Sequence, residues 1–198
     1  MKTITIIGAS GHGKVIADIA KLNGYDRIVF FDDDDSVKDC NGYPVAGNTE
    51  KEPEGDFVIA IGNAAIRKRI TEKYRNKSQP VLIHPNAVVA EDVKIGRGTV
   101  VMAGAIINPA TVIGNGCIIN TGATVDHDCV LGDYCHVAVG AHLCGTVKVG
   151  NEVWVGAGSV ISNNTNVCDQ ALIGAGAVVV KDIKQKGTYI GVPAKLKK

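Results

Sequence analysis

Residues 111 to 131 read Thr111-Val-Ile-Gly-Asn-Gly-Cys-Ile-Ile-Asn-Thr-Gly-Ala-Thr-Val-Asp-His-Asp-Cys-Val-Leu131. Branched aliphatics recur every six residues, at Ile113, Ile119, Val125 and Leu131, and a small residue follows each by four positions, at Cys117, Ala123, Cys129 and Cys135. A helix repeats every 3.6 residues and a long strand every two, so neither yields this interval. Stepping by six from Ile83 to Val179 meets seventeen positions, and all are Val, Ile or Leu. One large residue, one small residue and a turn per hexad predict a parallel β-helix of hexapeptide repeats, whose core exists only because the turns stack. Gly96, Gly114, Gly132 and Gly150 stand eighteen apart, which makes three hexads one triangular coil. At about 4.8 Å per stacked strand the column is on the order of 25 Å tall. Its handedness does not follow from the spacing.

Toward the N-terminus the grammar changes. Lys2 to Gly8 alternates as a strand, Gly13 to Leu22 has helical spacing, and Arg27 to Phe31 is a second strand. Phe57 to Ile61 is a third, Ala64 to Tyr74 a basic helix, and Val81 to Ile83 a short fourth strand. Strands alternating with helices predict a parallel sheet. The domains read as an α/β unit over 1–82, a β-helix over 83–184 and a closing segment over 185–198.

The whole chain has 198 residues, with 21 Lys+Arg against 20 Asp+Glu. That balance excludes a polyanion binder by bulk charge, so no nucleic-acid partner is expected. Met1 leads directly into a strand, with no basic leader and no apolar run near twenty residues, which predicts neither secretion nor a membrane span. The six cysteines lack a C-x-x-C pair and read as reduced cytosolic thiols.

Gly8-Ala-Ser-Gly-His-Gly13 joins the first strand to the first helix, where glycines and a helix N-terminus let backbone N–H groups approach a phosphate. The spacing is G-x-x-G-x-G rather than the dinucleotide fingerprint, so a nucleotide site and a structural turn both remain open. Asp32 to Asp35 follow the second strand, where a ribose or a solvated loop would be met. Cys117, Cys129 and Cys135 fall in the small inward register as compact hydrophobes. A zinc cluster of His127, Cys129, Cys135 and His136 would need inward thiols and an outward imidazole to converge, so no metal is expected.

Asp126-His127-Asp128 misses the inward register and belongs on the prism surface. An imidazole between two carboxylates is either a solvated histidine or a general base with its tautomer fixed. Eighteen residues on, Gly145 stacks beside it, offering a backbone N–H for an acyl-transfer oxyanion. His136 and His142 also leave the inward register and could line the same groove.

Together with Phe31-Asp-Asp33, Ile59-Ala-Ile-Gly-Asn63, Ile66-Arg67, Cys135-His-Val-Ala-Val-Gly140 and Gly191-Val-Pro-Ala-Lys195, these motifs resemble the bacterial hexapeptide sugar O- and N-acetyltransferases. The likeness is to nucleotide 4-amino-sugar N-acetyltransferases and to the sialic acid O-acetyltransferase-like group, and it covers nearly the whole chain. It implies a Rossmann-like α/β domain before a left-handed β-helix, a cytoplasmic homotrimer with sites between prisms, and acetyl-CoA as cosubstrate. It implies a nucleotide-linked 4-amino-4,6-dideoxy sugar, UDP-linked, as acceptor, in bacterial glycan biosynthesis. By the same resemblance His127 is the base, with Asp126 or Asp128 orienting it; the family's usual Glu at position 128 is here the shorter Asp. Asn120, His136, Gly145 and Lys195 would serve acetyl-CoA, with Gly145 N–H on the thioester carbonyl and the closing segment, with Lys195, Lys197 and Lys198, over the CoA end. Ser10, Gly11, His12, Asp33, Gly62 and Asn63 would hold the acceptor's nucleotide.

Two other classes use the same prism. A γ-class carbonic anhydrase would take zinc on His127, His136 and His142, but their spacing differs from that family's and the α/β unit would go unexplained. A non-enzymatic scaffold would leave the Asp-His-Asp triplet and the glycine loop without purpose.

Overall fold

The computed structural model describes residues 1–197; of the closing lysines, Lys198 lies outside them. The α/β unit is a five-stranded sheet. It comprises β1 (Thr3–Ile7), α1 (Gly11–Leu22), β2 (Arg27–Phe31), β3 (Asp39–Cys40), β4 (Tyr43–Gly47), β5 (Asp56–Ile59) and α2 (Ala64–Lys73). The strand order is β3-β4-β2-β1-β5, with β3 alone antiparallel. β1 is central, and Ile4, Ile6 and Ile7 are buried because helices cover both faces. α1 turns Ile16, Ile19 and Ala20 toward one face, and Ile70 and Tyr74 meet Phe31 and Phe57 on the other.

Two expectations change here. Leu82–Ile83 is not a fourth strand of this sheet: it pairs with Val100–Val101 and founds the prism. The sheet is completed instead by β3 and β4, a hairpin whose turn residues Asn41 and Gly42 both have positive φ. Asn-Gly is the sequence signal for such a turn.

Beyond residue 81 the chain winds into three flat faces of two-residue strands. The expected eighteen-residue coil is the observed one: Ile106 lies beside Thr124, Val112 beside Val130 and Ile118 beside His136. The hexad aliphatics form one continuous core from Val101 to Val179, and Cys117, Cys129 and Cys135 are fully buried in it. Each such aliphatic contributes about 1.5–3 kcal/mol on burial. The column Gly96, Gly114, Gly132 has no room for side chains, since a Cβ at Gly114 would fall 2.6 Å from the Gly132 carbonyl carbon. The first face begins with Leu82–Ile83 and continues through Val100–Val101, Ile118–Ile119, His136–Val137, Trp154–Val155 and Leu172–Ile173.

The α/β unit sits on this first face. Ile16, Ile19 and Ala20 of α1 share one apolar cluster with Leu82, Val100, Met102 and Ile118. Asn23 tethers the end of α1, its Nδ2 donating to Ile19 O and to Ile83 O, each at 2.9 Å. Within the closing segment, Lys195–Leu196 pairs antiparallel with Thr188–Ile190 and extends the first face.

Candidate active site

A cavity of about 340 Å³ opens at the C-terminal edge of β1 and β2, lined by Gly8, Ser10, His12, Asp33, Gly62 and Arg69 among others. Gly8 has φ of +113°, which lets the chain leave β1 and turn into α1. Ser10 precedes α1 without a side-chain cap bond, so the first helical N–H groups are not claimed by it. A Cβ on Gly11 would meet no atom within 4 Å. Gly13 differs from the expectation that it admits a phosphate: it is buried against the Gly8 carbonyl and Phe30, so its missing side chain serves helix–strand packing. The Asp33 carboxylate accepts from Thr49 N at 2.8 Å and Thr49 Oγ1 at 2.9 Å, which fixes it at the cavity wall. Asn63 caps α2, its Oδ1 accepting from Ile66 N at 3.1 Å, so that side chain shapes the rim.

Where the α/β unit meets the prism, His136 is off the inward register, as expected, yet only 8 % exposed, because His12 and Trp154 flank it. Asn120 Nδ2 lies 3.1 Å from His136 Nε2. Burial and then the nearby Arg67 cation lower the pKa of His136 to about 3 and that of His12 to about 4. Both imidazoles are therefore neutral at physiological pH. Donation by the Asn120 amide assigns the His136 proton to Nδ1.

At the prism corner that follows Thr124–Val125, the triplet divides its labour. Asp128 has φ of +58° and brings Oδ2 to 2.7 Å from His127 Nδ1. Asp126 instead accepts from Asn108 Nδ2 at 2.7 Å and from His127 N at 2.8 Å. Asp128 is thus the imidazole's partner and Asp126 holds the corner. A neutral His127 donating from Nδ1 keeps its Nε2 lone pair free toward solvent. The Asp128 hydrogen bond, with the Asp126 charge, raises the His127 pKa above its ordinary value. Gly145 lies one coil along, and a Cβ there would fall 2.7 Å from His127 Nε2. Among the described residues no acceptor takes the Gly145 N–H.

The structure brings His127, Asp128 and Gly145 together at one corner, and His12, Asn120 and His136 together at the seam between the units. It does not bring these two groups together within one chain. His136 therefore does not share a groove with His127, and His142, exposed on the second face, pairs with Thr124 Oγ1 at 2.9 Å. Lys195 is exposed on the final strand of the first face. Sequence reasoning missed Trp154, whose ring centroid lies 4.2 Å from that of His136. The signal was available: it stands eighteen residues after His136, hence beside it on the same face. Arg69, at the cavity wall, had no periodic mark to find it.

Comparison with known proteins follows this division. Residues 3–74 match the PglD N-terminal domain, and residues 79–109 match the bacterial transferase hexapeptide (six repeats). The acetyltransferase domain of PglB from Neisseria gonorrhoeae FA1090 is 42 % identical over 100 % of both chains, with a TM-score of 0.95, and has also been solved in complex with acetyl coenzyme A. PerB from Caulobacter crescentus, in complex with CoA and GDP-perosamine, is 36 % identical over 100 % of this chain and 98 % of that one, with a TM-score of 0.93. The UDP-N-acetylbacillosamine N-acetyltransferase of Bacillus subtilis (strain 168) is 36 % identical over 113 residues, 52 % of each sequence, so the match spans about half of that relative. With an α/β unit, a left-handed hexapeptide prism and whole-length likeness to the PglB domain and to PerB, the chain belongs to the acetyl-CoA-dependent hexapeptide sugar N-acetyltransferases.

Proposed function

We propose that this chain transfers the acetyl group of acetyl-CoA to the 4-amino group of a nucleotide-linked 4-amino-4,6-dideoxy sugar in bacterial glycan biosynthesis. The observation that carries the reading is the 2.7 Å contact of His127 Nδ1 with Asp128, one coil from the unclaimed Gly145 N–H. The free amine attacks the thioester carbonyl while His127 Nε2 takes its proton, and Gly145 N–H receives the developing oxyanion. Collapse expels the CoA thiolate, which takes the proton back from His127. A thioester is already activated, so positioning, one proton transfer and oxyanion stabilisation suffice.

The cavity beside Gly8 receives the acceptor's nucleotide, with Ser10, Gly11, His12, Asp33, Gly62 and Asn63 forming or bordering it and UDP as the expected nucleotide. Asn120, His136, Gly145 and Lys195 serve the acetyl-CoA side. Because the His127 corner and the His136 seam are separate in one chain, the complete site needs a second prism, and a homotrimer supplies three such junctions. Both activated substrates belong to the cytoplasm, where the reading sets the enzyme; no helix among the described residues is long and apolar enough to cross a membrane.

The decisive experiment offers purified protein acetyl-CoA and a panel of UDP-, GDP- and dTDP-linked amino sugars. The expected result is one acetyl mass gain on an amino sugar with stoichiometric thiol release. Acetylation of a sialic acid hydroxyl, with no amino sugar turned over, would replace this reading by sugar O-acetylation.

A further inference from the structure

Arg67 in α2 is 2 % exposed and, among the described residues, forms no ion pair. A buried cation without a counter-charge is costly, and it persists only where its hydrogen bonds are well met. Arg67 meets them with backbone carbonyls alone. Nη1 donates to Ile61 O at 3.0 Å and Gly62 O at 2.7 Å, on the cavity wall. Nε donates to Gly116 O at 3.0 Å, and Nη2 to Tyr134 O at 2.6 Å and Cys135 O at 3.5 Å, on two successive prism coils. One planar fork therefore spans both units, a geometry that a lysine ammonium cannot reproduce.

Around this fork the seam is charged, but its largely buried carboxylate, that of Glu152, pairs with Lys68 rather than with Arg67. His12 reaches it from the start of α1, and His136 lies next to Cys135 on the prism. Lys68 and Glu152, which face each other across the seam at 2.8 Å, Asp133 and Tyr134 on the adjoining turns, and the buried Cys117 and Cys135 thiols complete the titratable surroundings. His12 Nε2 and His136 Nδ1 are buried and without a hydrogen-bond partner.

We propose that Arg67 is a positioning residue for the transfer reaction, fixing the Ile61–Gly62 wall of the acceptor cavity against the prism strand that carries His136. The inference rests on the reading of that cavity as the acceptor site. The five bonds of Arg67 are spent on protein carbonyls, so it acts through the wall rather than by touching substrate.

Arg67→Lys keeps the charge and loses the fork; Arg67→Met loses both. Both are measured for melting temperature, sedimentation, and the separate kcat/KM and KM values of acceptor and acetyl-CoA. Arg67→Lys is expected to fold, yet to lose about 10²-fold in kcat/KM for the acceptor, because misplacement of about an ångström costs that much. Its KM for acetyl-CoA should stay within about twofold, a split that general destabilisation does not produce. Arg67→Met, which loses the charge as well as the fork, should fall at least as far in kcat/KM for the acceptor. A folded Arg67→Lys or Arg67→Met with unchanged acceptor kcat/KM overturns the positioning role. If Arg67→Met does not fold, Arg67→Lys alone decides. If the wild type acetylates no nucleotide amino sugar, the proposed function fails, and calorimetric binding of UDP and GDP to wild type and Arg67→Lys then decides the positioning role, equal affinities overturning it.

Discussion

The imidazole of His127 occupies the space that a side chain on Gly145 would need, since a Cβ there falls 2.7 Å from both Cε1 and Nε2 of the ring. The ring is exposed, so it can swing aside at little expense to the fold, but it then leaves the Gly145 N–H. Gly145→Ala should therefore melt within a few degrees of wild type and lose about 10²-fold or more in kcat, the usual effect of disturbing an oxyanion donor. Wild-type turnover in this variant would separate the two groups functionally.

His127→Ala removes the base without touching the aliphatic register. General base catalysis contributes about 10²- to 10⁴-fold, or roughly 3 to 5 kcal/mol of barrier. Steady-state turnover at saturating substrates should fall by that factor while sedimentation stays unchanged. A folded variant retaining more than about a tenth of wild-type turnover would assign the proton transfer to another group.

The pH profile follows from the His127–Asp128 hydrogen bond. A base must be unprotonated, and Asp128 raises the His127 pKa, so kcat should decline as pH falls through a value above that of an ordinary histidine. Asp128→Asn removes the main cause of that shift, the carboxylate hydrogen bond. Its acid limb should move to lower pH while its plateau drops, because the tautomer is no longer held. An unmoved midpoint would show that Asp128 does not govern the titration.

Gly13→Ala tests packing rather than chemistry. The new Cβ would lie 2.9 Å from the Phe30 ring and still closer to the Gly8 carbonyl, which is backbone and cannot give way. Overpacking of this kind costs about 1–3 kcal/mol, more than the gain of up to about 1 kcal/mol in helix propensity. Urea unfolding should show the loss.

Sedimentation should give three times the 20.7 kDa chain mass. An active monomer at assay concentration would remove the inter-prism site.

The prism was legible in the sequence because its period is covalent: the Val, Ile or Leu at every sixth position from Ile83 to Val179 repeats one geometric instruction. The same arithmetic placed Gly145 beside His127. It could not place His136 correctly, since register says only that a side chain points outward, and the burial comes from α1, whose docking is a long-range apolar contact. Nor could it choose between Asp126 and Asp128, flanking acids of equal chemistry; the left-handed turn at Asp128 made the choice. β3 and β4 escaped because two-residue and Pro-bearing strands carry almost no alternation. Arg67 was visible as a motif but silent as to purpose, because its partners are carbonyls that leave no mark in a sequence.

The eighteen-residue coil also works as a ruler. Outward residues on the first face climb in fixed steps from Leu82, Val100 and Ile118 beneath the α/β unit to His136 and Trp154 at its edge, where the indole lies against Gly62, and to Leu172. Axial height is thus written as a residue count, at about 4.8 Å per eighteen residues. Inserting or deleting one coil between the docked unit and a chemical group would slide that group along the axis and leave its lateral placement unchanged. A fold of this kind can adjust its reach to a longer or shorter acceptor in whole steps, without redesigning either end.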